Sequence, residues 1–92
     1  EQVRVDKAFM GTMGMCLTNG LTTTDPNEAY SNDVVSKQAG KVILLADSNK
    51  AEKVCFARFG DWNSVDLLIS DKKLPQNFTK LLRKRGVKVL LS

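Results

Sequence analysis

Between Asp6 and Ala29 this 92-residue chain holds three glycines, Gly11, Gly14 and Gly20, five threonines and a single glutamate, Glu28. Glycines let a backbone approach a ligand closely, and the hydroxyls of Thr22, Thr23 and Thr24, set just before a helix start, donate and accept hydrogen bonds. Phosphate or sugar oxygens suit such a surface, with the amides of Gly11-Thr12-Met13-Gly14 completing it. The bland alternative is a long connection whose glycines only permit turns and whose threonines compete for a helix cap. Gly-Thr-Met-Gly matches neither a Walker loop nor G-x-G-x-x-G, so the composition leaves both readings open.

A second polar cluster, Asp47-Ser48-Asn49-Lys50, directly follows an apolar run. Lys50 there is either a point charge for an anionic group or a solvated surface lysine. Cys16 and Cys55 have apolar neighbours, and the chain contains no histidine, which argues against a zinc centre or a Cys-His nucleophile. They are expected to be free thiols rather than a disulfide. No metal site, cofactor or catalytic residue is expected.

Elements must hold these clusters in place. Val3, Val5 and Phe9 share one parity, which predicts a strand over Val5–Met10. Asp25 as N-cap, Pro26 in the first turn and Glu28 three residues on predict a helix over Pro26–Ala39, stopped by Gly40. Lys41–Ala46 and Leu67–Ser70 are unbroken apolar runs of the kind covered on both faces of a parallel sheet. A helix over Pro75–Arg85, ended by Gly86, and a strand over Val87–Leu91 close the chain. The apolar stretch 54–59 has no clear assignment, and Asp61-Trp62-Asn63 reads as a short helical turn. The alternation predicts an α/β domain with a mainly parallel sheet and flanking helices, whose ligand sites lie at the carboxyl ends of the strands.

Charge adds little. Fourteen basic against ten acidic residues give +4, and the basic run Lys80 to Lys88 complements a helix dipole. A small nucleic-acid-binding domain is supported by that total alone. The apolar run Val42–Ala46 is far too short to cross a bilayer, so no membrane partner is expected and the chain reads as cytoplasmic. It enters a strand pattern at once without an initiating Met, as would a piece of something longer.

Taken together, "VDKAFMGTMGM", "GLTTTDPNEA" and "KVILLADSNK", with the later "VDLLISDKKLP", resemble the C-terminal effector-binding domain of DeoR-family transcriptional repressors over nearly the whole chain. The resemblance implies a Rossmann-like fold related to pentose-phosphate isomerases and CoA transferases, here as the C-terminal portion of one effector-binding domain spanning residues 1–92. It also implies a phosphorylated sugar or related metabolite as effector, a homo-oligomer, and DNA contact only through a helix-turn-helix domain that precedes these residues. On the family motifs the ligand-binding positions are Asp6, Gly11, Thr12, Gly14, Thr22, Thr23, Glu28 and Lys50. Glu28 and Lys50 resemble the isomerases' active-site pair, retained for binding. Three departures stand out: Tyr30-Ser31-Asn32 in place of the usual Val-Lys, Met13 in place of an acidic residue, and Ala51-Glu52 where a glycine is common. A fragment of a sugar-phosphate isomerase, with Glu28 as general base, is the competing reading.

Overall fold

The computed structural model describes residues 5–28, 30 and 37–92. Seven strands form two sheets: β1 (Val5–Gly11), β2 (Gly14–Cys16), β3 (Gly20–Thr23), β4 (Ala39–Leu45), β5 (Ala57–Gly60), β6 (Leu67–Ser70) and β7 (Lys88–Leu91). Strands β1, β4, β6 and β7 make a wholly parallel sheet in that spatial order, with β1 and β7 at its edges. These are the four predicted strands. The central runs Val42–Leu45 and Leu67–Ile69 lack polar alternation because both faces of the sheet are apolar there.

The second sheet, β2-β3-β5, is antiparallel and was not predicted. The stretch read as a glycine-rich loop is a β-hairpin, Met15 pairing with Leu21 and Cys16 with Gly20 across the turn at residues 17–19. Part of the unassigned stretch 54–59 begins its third strand, and the expected turn near Asp61 is a 3-10 helix over Trp62–Ser64. Gly14 makes the hairpin possible. A Cβ there would stand 2.5 Å from the Lys53 carbonyl oxygen and 2.7 Å from the Thr22 hydroxyl, closer than any side chain tolerates.

Of the helix predicted over Pro26–Ala39, residues 26–28, 30, 37 and 38 are helical, and the remaining interior lies outside the described residues. Ala39 and Gly40 already belong to β4, so the sheet takes over earlier than the glycine signal indicated. Helix α1 (Gln76–Lys84) follows Pro75 and buries Phe78, Thr79 and Leu82 on one face, with Arg83 and Lys84 in its last turn. The chain leaves it at Gly86, whose φ of +92° is open to glycine at little cost.

One core lies between the layers. Ala8, Met10, Val42, Leu44 and Leu68 on one face of the parallel sheet meet Met15, Leu21, Phe59 and Trp62 from the antiparallel side and Phe78 and Leu82 from α1. Trp62 joins these layers, its ring set edge-on to Phe78 at 6.1 Å while its indole N–H donates to the Cys16 carbonyl at 3.0 Å. Burying a phenylalanine such as Phe78 contributes about 3 kcal/mol. Cys16 and Cys55 are free thiols. Among the described residues no helix is long and apolar enough to cross a membrane, and no cluster of three metal-ligating side chains occurs.

Candidate functional site

A cleft of about 390 Å³ opens where β1, β4 and β6 end. Gly11 and Thr12 line it from β1, Asp47 and Lys50 from the turn after β4, and Ser70 and Asp71 from the end of β6. Parallel strands deliver these residues to one edge because all four run the same way, which is why such edges collect ligand sites.

The turn after β4 is a 3-10 helix over Ser48–Lys50, closed by Lys50 N–H to Asp47 C=O at 3.0 Å. It is held from below by Asp71. One carboxylate oxygen of Asp71 accepts from the Ser48 N–H at 2.9 Å and the other from the Lys73 N–H at 2.9 Å. The Ser48 N–H, helped by the Ser48 hydroxyl and the Lys73 N–H, holds the Asp71 carboxyl below the usual carboxylate range, since each favours the ionised form. Asp47, at the cap position, makes no side-chain cap bond. Among the described residues neither Asp47 nor half-buried Lys50 has an ion-pair or side-chain hydrogen-bond partner, so one carboxylate and one ammonium face the same cleft unspent. Beside them the Ser70 hydroxyl is buried and also lacks a partner.

The other sequence-selected residues are placed differently. Thr12 is at the cleft, but its hydroxyl donates to the Gly14 and Thr22 carbonyls at 2.7 and 2.9 Å, leaving only its lone pairs for a ligand. Gly14 and Thr22 are buried inside the hairpin. The Thr22 hydroxyl accepts from the Cys55 N–H at 2.9 Å, which ties β3 to the residues leading into β5. Thr23 donates to the Glu28 carboxylate at 3.1 Å, and the Asp25 N–H points back at the Thr23 oxygen at 3.5 Å. Glu28 thus closes the helix start through Thr23 rather than through the Asp25 amide of the expected capping box, and it is not among the residues lining the cleft. Asp6 is exposed near the amino end of β1, five residues before Gly11 and so about 16 Å along the strand from the cleft.

Lys50, Gly11 and Thr12 are therefore brought together, with Asp47 of the same polar cluster as Lys50, and Ser70 and Asp71 are added. The signal for the Ser70-Asp71 pair was present in the sequence: it directly ends a buried strand, the position that singled out Asp47 and Lys50.

Residues 1–72, most of the chain, match the family model described as the DeoR C terminal sensor domain. The chain belongs to the DeoR C-terminal sensor family. Among curated relatives it is similar to the HTH-type transcriptional repressor GlcR of Bacillus subtilis, 34% identical over 96% of the chain and 34% of that protein. It is likewise similar to the HTH-type transcriptional regulator GlpR of Haloferax volcanii, 31% identical over 98% of the chain and 35% of that protein. A putative aga operon transcriptional repressor of Escherichia coli O157:H7 is 30% identical over 99% of the chain and 34% of its own length. The DeoR-type chain thus spans about a third of the length of the curated relatives it matches.

One residue just after the cleft turn is backbone-strained. Glu52 has φ +64°, in the left-handed region. Its N–H donates to the Met15 carbonyl at 2.6 Å, joining the turn after Lys50 to the hairpin. The backbone at Glu52 thus holds a conformation that suits glycine better than a side-chain-bearing residue.

Proposed function

We propose that this chain is the effector-sensing part of a DeoR-type transcriptional regulator and that its strand-end cleft binds a phosphorylated sugar without transforming it. The observation that carries the reading is the unpartnered pair Lys50 and Asp47 in one cleft at the carboxyl ends of parallel strands. An ammonium suits the phosphate oxygens and a free carboxylate accepts from sugar hydroxyls, so one ligand bearing both groups satisfies both side chains. The relatives' names, repressors and regulators of the HTH type, support a regulatory role exerted through a DNA-binding domain elsewhere in the longer protein. The isomerase alternative needs Glu28 as a base at the ligand, and that carboxylate is instead engaged by Thr23 outside the cleft lining.

Calorimetric titration of the longer regulator with a panel of sugar phosphates and with inorganic phosphate tests the reading. A charge-assisted contact is worth about 1.5–3 kcal/mol, so Lys50→Ala is expected to weaken binding of the best sugar phosphate roughly ten- to a hundred-fold. Equal affinity in wild type and Lys50→Ala, with the fold intact, rejects the site. Turnover of any bound sugar phosphate rejects the binding-only role.

A further inference from the structure

The parallel sheet has a second face that the core does not use. In-register pairing sets Phe9 beside Ile43, Ile43 beside Leu67, and Leu67 beside Lys88. One step along, Gly11, Leu45, Ile69 and Leu90 form the next row. Residues paired across a sheet project to the same side, and alternate residues along a strand share a face. Phe9, Ile43, Leu45, Leu67, Ile69 and Leu90 therefore make one continuous apolar surface, opposite Ala8, Met10, Val42, Leu44 and Leu68, and none of the six belongs to the core cluster. Phe9 is 63% exposed, Leu90 54% and Leu45 45%, while Ile43 at the centre is 8% exposed. Lys7, Lys41 and Lys88 stand on the same face along its amino-terminal border, with no carboxylate at the register positions between them.

Among the described residues, the chain's own connections explain why this side is left exposed. The sheet steps one way, from β4 to β6 to β7, and right-handed crossovers then put both connections on a single face. That is the core face, where α1 and the antiparallel sheet lie. Parallel sheets are otherwise covered on both sides, and the curated relatives have about two thirds of their length beyond what this chain spans. The apolar rows hold no acid and their amino-terminal border is lysine, so an acid-flanked helix satisfies both the rows and the basic border.

We infer that this face seats an amphipathic helix from the part of the longer DeoR-family polypeptide that this chain does not span, apolar along one stripe and carrying Asp or Glu where it passes Lys7, Lys41 and Lys88. The inference stands on sheet register and family membership, not on the ligand reading, although Gly11, Leu45 and Ile69 border both this face and the cleft.

Hydroxyl-radical footprinting of the 92-residue chain and of the longer polypeptide is the test, with carbodiimide cross-linking of the longer protein in a sample mixed from two isotopic labels. Oxidation of Phe9 and Leu90 is expected to be roughly ten-fold slower in the longer protein, and the protection should survive dilution. Cross-links should join Lys7, Lys41 or Lys88 to carboxylates outside the 92 residues and within one copy. Protection already complete in the 92-residue chain, protection lost on dilution, isotopically mixed cross-links, or no protection in the longer protein would each overturn it.

Discussion

The hairpin at residues 14–23 and the turn at 47–50 are both rich in short polar residues, and they use them in opposite ways. In the hairpin the hydroxyls of Thr22 and Thr23 are committed to Cys55, Glu28 and Asp25, and Thr12 beside it is spent on two carbonyls. In the turn the backbone is fastened from outside, by Asp71, which leaves the Asp47 and Lys50 side chains unengaged. A polar residue can serve a ligand only where something else meets the backbone's demand for hydrogen bonds. Threonine count marked the first region in the sequence; freedom of the side chains marks the second in the structure.

Substitutions that load one region and spare the other put this contrast at risk. The largest effect is expected from Gly14→Ala, whose Cβ would press on the Lys53 carbonyl oxygen at 2.5 Å. Backbone there cannot retreat cheaply, so about 2–3 kcal/mol of stability should be lost, lowering Tm by roughly 10 °C or more in thermal unfolding. Lys50→Ala, the variant used in the binding test, is expected to leave that Tm nearly unchanged; a large drop would show that the turn, too, is structural.

Glu52→Gly should act with the opposite sign. Release from the left-handed region gains about 1–2 kcal/mol, offset in part by glycine's greater freedom in the unfolded chain, for a net rise of roughly 0.5–1 kcal/mol in denaturant unfolding. A loss of stability would mean that the Glu52 side chain contributes more than its backbone costs. The smallest effect concerns acid. Asp71 has its folded pKa depressed, so its contribution is present above the unfolded carboxylate value of about 3.9 and is lost as pH falls through the lower folded value. Wild type should therefore lose more stability than Asp71→Asn on going from pH 5 toward strongly acidic solution; parallel pH profiles would remove Asp71 from its anchoring role.

The central parallel strands were legible because Val42, Leu44 and Leu68 sit in unbroken aliphatic runs of strand length. The hairpin was not. Strand β2 has three residues, and all of Gly20–Thr23 is buried, so no alternation of apolar and polar residues marks either strand. Thr22 and Thr23 can be buried only because their hydroxyls find partners, the nearby Glu28 carboxylate for Thr23 and the distant Cys55 N–H for Thr22, and sequence spacing carries no trace of the second. At the cleft, the strand-end rule pointed to the polar cluster that holds Lys50 and Asp47, and both line the cleft. It would have located Ser70 and Asp71 had it been applied to the end of Leu67–Ser70 as well. Asp6 came from motif resemblance alone, and the strand direction sets it far from the cleft.

The position of β1 at the rim of the parallel sheet has a consequence for how this polypeptide behaves in a tube. Among the described residues, the seven of β1, Val5 to Gly11, are paired along one side only, with β4. Their outward N–H and C=O groups form a ready template for another extended strand, and Lys7 is the sole charge in that row after Asp6 to discourage it. Prepared alone, the 92-residue chain thus has a built-in tendency to associate edge to edge, and its colloidal behaviour, more than its melting point, will govern the concentration at which it can be handled.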